Sequence, residues 1–209
     1  MTRPILYSFR RCPYAMRARL AIASAGITVE LREILLRDKA PEFLTASPKG
    51  TVPVLQGDAI IEESLDVMHW ALAQNDPEGL LVNMTDEHVK LIAECDGPFK
   101  TALDQTKYAV RYPDLDPMEA RATAAAFIEK LDTLIGPNNW LFGKQPTLPD
   151  LAILPFVRQF AHTDLDWWNG QSFPNAQRWL AAFKASGRFA GIMTKYTPWK
   201  AGDDVILFP

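Results

Sequence analysis

Two cysteines, Cys12 and Cys95, are all that the 209 residues contain. So few exclude a disulfide-stapled scaffold and point to a reducing, cytoplasmic setting. A bridge between the two has no support in the sequence. No apolar run reaches membrane-spanning length, and a signal-peptide core is expected to be absent. An excess of basic charge is missing too: 22 Lys and Arg stand against 25 Asp and Glu, a formal charge of −3, which argues against a nucleic-acid-binding surface. Repeats and low-complexity segments are lacking. Histidine is scarce, and His69, His88 and His162 show no metal-ligand spacing, so no metal is expected. What remains is an ordinary globular composition, 48% hydrophobic and 22% charged, long enough for one large domain or two small ones.

The most informative stretch is Arg11-Cys12-Pro13-Tyr14-Ala15. Apolar Ile5, Leu6 and Tyr7 before it read as a short strand; Met16, Leu20 and Ala23 after it fall at helical spacing. Pro13 suits the first helical position, having no N–H to leave unpaired. Cys12 then stands at the N-cap, where the positive helix end favours thiolate over thiol, with Arg10 and Arg11 adding positive charge. A thiol of ordinary pKa ~8.5 falls to roughly 3.5–7.5 in such places. Cys12 is the candidate nucleophile; the competing reading is a small packing residue ahead of a helix. Position 15 holds Ala15 rather than a second cysteine, so a mixed disulfide on Cys12 has no resolving partner in the motif. A small-thiol co-substrate is therefore implied.

Gly26 can cap the first helix, and residues 28–33 read as a second strand, making a βαβ unit with parallel strands. Residues 38–46 form a short helix or an irregular segment. Next comes Ser47-Pro48-Lys49-Gly50-Thr51-Val52-Pro53-Val54-Leu55. If Val52–Pro53 is cis, the Val52 backbone can pair with a peptide-like ligand; otherwise Pro53 is a trans residue limiting an edge strand. Gly57-Asp58 turns the chain into a returning strand over residues 59–62. Ser64 is a natural N-cap for the helix that follows, and such a site suits a carboxylate, with Glu63 placed to meet an amino group. Simple capping explains Ser64 equally well.

The order strand, Cys-Pro-Tyr-Ala, helix, then Gly50-Thr51-Val52-Pro53-Val54-Leu55, then Glu63-Ser64 opening a helix, resembles the thioredoxin-like domain of the cytosolic glutathione transferases, and within them the omega-like, cysteine-type branch. The resemblance implies an α/β thioredoxin-like N-terminal domain followed by an all-α helical bundle. It implies glutathione as co-substrate and a homodimer. It also implies roles: Cys12 as the mixed-disulfide nucleophile, Val52 before a cis Pro53 for the cysteinyl backbone of glutathione, and Glu63 with Ser64 for the γ-glutamyl end. Lys39 would serve the glycine carboxylate, although Lys39-Ala40-Pro41-Glu42 departs from the branch's Lys-Pro-Glu. Other branches polarise glutathione with a Tyr or Ser near the end of the first strand, which makes Tyr7 and Ser8 rivals to Cys12. The implied activity is that of a transferase acting by thiol transfer on glutathionylated or oxidised small substrates, of thioltransferase or dehydroascorbate reductase type. Alternatives are conjugation of glutathione to electrophiles and a non-enzymatic, partner-binding scaffold.

The polar, breaker-rich stretch from Asn75 to Gly79 ends the first domain. The expected division is a glutathione-binding domain over residues 1–76, a linker over 77–84 and a helical substrate domain over 85–209. In the last, a long helix to about residue 112 should be kinked or divided at Gly97-Pro98. A second helix is expected over 118–135. Thr147 with Asp150 approximates a capping box before an apolar helix, and two more helices follow over 175–185 and 188–193. Cys95 reads as a packing residue. Tyr108, Trp167 and Trp168 are candidates to line an apolar pocket, although aromatic residues are more often core. The last residues, with Val205 to Phe208, pack back as a tail.

Overall fold

The computed structural model describes residues 3–209, which form two compact units. The first begins with β1 (Ile5–Ser8), α1 (Pro13–Ala25) and β2 (Val29–Glu33). β1 and β2 pair in parallel, Leu6 opposite Leu31, so the expected βαβ unit is present. Gly26 ends α1 in the left-handed conformation at φ 65°, a position glycine takes without a Cβ clash. Residues 38–46 resolve into the short helix α2 (Pro41–Ala46), Pro41 opening it. β3 (Val54–Gln56) runs antiparallel to β1, and β4 (Ile60–Ile61) turns back along β3. The returning strand is thus shorter than the sequence suggests. α3 (Ser64–Gln74) then packs on α1.

Helix α1 explains the arrangement. Ala15, Ala18, Ala21 and Ala25 are buried along it, and such small side chains let neighbouring elements come close. Arg17 and Arg19 are buried on the same helix, 0% and 2% exposed, where apolar periodicity alone would put aliphatic residues.

The second unit, Leu80–Ala185, is helical. α4 (Asp86–Glu94) and α5 (Lys100–Lys107) are separated by a π turn over Cys95–Phe99. Pro98 sits inside that turn; with no N–H, it cannot bond the carbonyl four residues back, and the backbone widens. The expected division at Gly97-Pro98 is therefore found as a π turn. A single 3-10 turn, Ala109–Arg111, follows. α6 (Pro117–Ile135) buries Ala124, Phe127, Ile128, Leu131 and Ile135. Its N-cap Asp116 accepts from the Met118 N–H at 2.8 Å.

α7 (Leu148–Ala161) is apolar on nearly every side. The capping box at its start is formed as expected: Asp150 accepts from the Thr147 N–H at 2.9 Å and the Thr147 hydroxyl at 2.8 Å. It also accepts from the Leu141 N–H at 2.9 Å. Burial pushes the Asp150 carboxyl up to about 6, against the lowering effect of those donors. α8 (Leu165–Asn169), absent from the sequence reading, is capped by Asp164, which accepts from the Trp167 N–H. Its Trp167 and Trp168 pack edge-on to Phe160, a core arrangement. α9 (Pro174–Ala185) completes the unit.

The remaining residues differ from the expected division. Ser186–Pro209 groups with the first unit, not with a helical domain running to residue 209. α10 (Gly187–Ile192) packs on α1, and β5 (Leu207–Phe208) pairs antiparallel with the outer edge of β2. The sheet order is β4-β3-β1-β2-β5. Open backbone groups on β2 are what the tail satisfies: Leu31 donates to the Ile206 carbonyl at 2.8 Å. The fold is a thioredoxin-like α/β domain followed in the chain by a helical domain.

Candidate active site

All six residues singled out for the site lie in the first unit. Cys12 is the N-cap of α1, in extended conformation at φ −71° and ψ 124°, with Pro13 next and no acidic residue in the first turn. The residue is half-buried against a cluster that includes Tyr7, Phe43 and Val52. Its backbone N–H donates to the Phe9 carbonyl at 3.0 Å, and its carbonyl starts the helix by accepting from Met16 at 2.9 Å. The Cys12 Sγ lies 3.7 Å from the Val52 carbonyl oxygen. Val52–Pro53 is a cis peptide bond, so the cis alternative is the one found.

Ser64 is not at the N-cap position expected of it. The N-cap of α3 is Glu63, and Ser64 is its first helical residue. Ser64 is 5% exposed, and its hydroxyl accepts from Arg17 Nη1 at 3.4 Å. Arg17 also lies 5.7 Å from the Tyr14 ring. Through Arg17, Ser64 is tied to the helix that Cys12 begins.

Glu63 is exposed and pairs with Lys49, Nζ to Oε1 3.3 Å. Lys49 equally reaches Glu62 Oε2 at 3.3 Å, and Glu62 accepts from the Ser47 hydroxyl at 2.5 Å. That hydroxyl, and secondarily Lys49, holds the Glu62 carboxyl below its ordinary range; the hydrogen bonds that Lys49 donates to Glu63 and Glu62 raise its own pKa. Lys39 is half-buried. Its Nζ stands 3.0 Å from where a Cβ at Gly50 would be, on the turn leading to Val52. Gly50 has φ +60°, so only glycine fits there without strain. Lys39 also lines a cavity of about 380 Å³ with Pro41, Trp199 and Lys200. Cys12 and Val52 are thus in direct contact; Ser64 is held by Arg17 and Glu63 by Lys49, while Lys39 lies over Gly50.

The rival hydroxyls are engaged elsewhere. Tyr7 is buried and donates to Gln56 Oε1 at 3.3 Å while accepting from Arg32 Nη1 at 3.0 Å. Ser8, fully buried, accepts from Arg19 Nη1. Neither cysteine is in a disulfide; Cys95 is buried in the π turn, consistent with a packing residue. Among the described residues, no group of three or more His, Cys, Asp or Glu could hold a metal ion, and no helix is long and apolar enough to cross a membrane. His88 closes a capping box with Thr85, and burial lowers its pKa.

Sequence reasoning missed Arg17, Arg19, Glu33, Lys49 and Glu62. The available signal was Met16-Arg17-Ala18-Arg19-Leu20, two arginines placed where the helical period puts the core.

Comparison with known proteins bears on this arrangement. Residues 6–79 match the glutathione S-transferase N-terminal domain family, and residues 87–182 match the glutathione S-transferase C-terminal domain family. A maleylacetoacetate isomerase of Pseudomonas aeruginosa is 26% identical over 185 residues, 78% of this chain and 85% of that protein. The glutathione S-transferase omega-2 of Mus musculus is 43% identical over 51 residues, 24% of this chain, and the match spans only 21% of that relative's length. Among solved structures, a glutathione transferase family member from Pseudomonas fluorescens, with two glutathione bound, superposes with a TM-score of 0.77 at 21% identity, covering 91% of this chain and 92% of that one; at that identity the likeness is one of fold. The two family matches, falling on the two units in the order their domains require, show that this chain belongs to the glutathione S-transferase superfamily.

Proposed function

We propose that the protein is a cysteine-type glutathione transferase that catalyses glutathione-dependent thiol transfer. The observation that carries this reading is Cys12 at the N-cap of α1, its sulfur against the Val52 carbonyl. The cis Val52–Pro53 bond, the exposed Glu63 and the Lys39 amine over Gly50 support it further.

The Cys12 thiolate attacks the glutathione sulfur of a substrate–glutathione disulfide. A Cys12–glutathione disulfide forms, and the substrate leaves as thiolate and takes a proton from water. A second glutathione, as thiolate, attacks the glutathione sulfur of that mixed disulfide. Oxidised glutathione leaves and the Cys12 thiolate is restored. Ala15 in place of a second cysteine makes the external thiol necessary. In this reading the Val52 backbone holds the cysteinyl unit, with Pro53 shaping its approach. Glu63 and the α3 N-terminus at Ser64 hold the γ-glutamyl end, and Lys39 holds the glycine carboxylate.

Replacing Cys12 with Ser and assaying reduction of a glutathione mixed disulfide and of dehydroascorbate tests the reading. The expected loss of turnover is on the order of 10³-fold or more, since the nucleophile is gone. Undiminished turnover removes Cys12 from the mechanism.

A second reading has its own support in the isomerase relative that matches most of the chain: isomerisation of a maleylacetoacetate-type substrate with glutathione as helper. Isomerase turnover that survives Cys12→Ser, alongside absent thiol transfer, favours this second reading.

A further inference from the structure

Arg19 is the second buried arginine of α1, and its hydrogen bonds lead to the loop before Cys12 and to the returning tail. Its Nη1 donates to the Ser8 hydroxyl and, at 3.4 Å, to the Phe9 carbonyl. Its Nη2 donates to the Arg10 carbonyl at 2.6 Å, and its Nε to the Ile192 carbonyl at 3.1 Å. The Arg10 peptide is gripped from both ends, because the Arg10 N–H donates to Glu33 Oε1 at 2.8 Å. The Phe9 carbonyl that accepts from Arg19 also accepts from the Cys12 N–H. One carbonyl therefore separates the buried guanidinium from the backbone of the nucleophile.

We propose that Arg19 is a positioning residue for Cys12: its guanidinium fixes the Ser8–Arg10 loop beneath the N-cap and sets a permanent positive charge behind the thiolate. The proposal rests on the thiol-transfer reading. A planar fork with five donors can bond two successive carbonyls and a hydroxyl together; an ammonium cannot.

The electrostatics agree. Burial pulls the Arg19 guanidinium down to about 10; opposing this, the negative charges of Glu33, then Cys12, then Tyr196 favour its charged form, while Arg10 disfavours it. Interaction between two charges is mutual, so whatever Cys12 does for Arg19, Arg19 does for a Cys12 thiolate. The charged and titratable groups that act on the pair are Arg10 from the loop, Glu33 from β2 and Tyr196 from the tail. Glu33 is 7% exposed, and burial raises its carboxyl, against the Arg10 N–H and the Arg19 charge. A clamp that only stiffened the loop would not depend on the sign of these charges. The proposed one does.

The test is the pH dependence of Cys12 alkylation by iodoacetamide in the full chain, with adducts mapped by peptide mass so that Cys95 is not counted. Arg19→Met raises the alkylation midpoint by about one unit. Glu33→Gln, removing the opposing charge, moves it down. Arg19→Lys keeps the midpoint near that of the unmodified chain, because the charge remains, but lowers kcat for thiol transfer, because the fork is gone. Midpoints that drift the same way in Arg19→Met and Glu33→Gln mark a purely structural role and overturn the proposal. A low midpoint in the unmodified chain that Arg19→Met, folded by circular dichroism, leaves unchanged also overturns it while sparing the thiol-transfer reading. An ordinary midpoint in the unmodified chain overturns both. Should Arg19→Met not fold, an upward shift in Glu33→Gln alone is decisive against the proposal.

Discussion

The Cys12 sulfur stands 3.7 Å from the Val52 carbonyl oxygen, across the sheet end from its own helix. Only a thiol can donate to that oxygen; a thiolate has no proton to give and meets a repelling lone pair. The contact belongs to the protonated state. On ionisation the sulfur is drawn to the N–H groups of the first turn of α1, beginning at Tyr14 because Pro13 has none. Under the proposed function, that leaves the Val52 carbonyl to accept from the cysteinyl N–H of glutathione, so that Cys12 in its thiol form and the ligand backbone would share one acceptor.

Glu63 and Lys49 offer a first prediction. Lys49 pairs with Glu63 and Glu62, the same kind of bond that an α-amino group would make to Glu63 under the proposed function. Glu63→Gln should raise the KM for glutathione by about tenfold, the loss of one charge-assisted bond, with kcat little changed. Lys49→Ala should leave KM unchanged or lower it by less than about threefold, since exposed ion pairs contribute little. Steady-state kinetics of both variants checks this.

Glu78 carries a pH prediction. It accepts from the Ser24 hydroxyl at 2.5 Å and pairs with Arg188 of the returning segment. Burial alone would raise its carboxyl, but the bonds from Arg188 and Ser24 and the Arg188 charge outweigh this and hold it below the ordinary carboxylate value. A depressed pKa in the folded state means that the unfolded chain binds the proton more readily, so stability is gained as pH rises. The contribution is complete above the unfolded carboxylate range and lost as pH falls through the folded value. Urea midpoints of the unmodified chain and Glu78→Gln should differ at neutral pH and converge in acid.

How legible all this was depends on the range of the interactions. Cys12 at a helix start, Gly26 as a helix stop and the Thr147–Asp150 box are local features, set by residues within a few positions of one another. The burial of Arg17 and Arg19 is not local. It arises because α3 covers α1 and because Ile192, far along the chain, meets Arg19. A tail packing back is legible in Val205 to Phe208, but the same distance hid the edge of β2 as the place it returns to and the grouping of 186–209 with the first unit, as it hid the bond between Ser64 and Arg17 on another helix. α8 is one short turn, and its signal, Asp164 before Leu165, is a cap without the long apolar period that marks a helix.

Asp150 gives a stability prediction in the helical unit. Its removal leaves the Leu141 and Thr147 N–H groups without the acceptor that both now share. Stranded buried donors cost about 1–3 kcal/mol each, so Asp150→Ala should destabilise the protein by about 2–6 kcal/mol. Urea unfolding followed by tryptophan fluorescence measures it. Asp150→Asn, which keeps one acceptor oxygen, should cost less.

The most direct measurement is the intact mass of the full chain after exposure to oxidised glutathione, followed by peptide mapping. The account predicts a single glutathione adduct, carried by the peptide containing Cys12, absent from Cys95 and removed by added reduced glutathione. A chain that stays unmodified under these conditions, or whose adduct sits on Cys95, would contradict it.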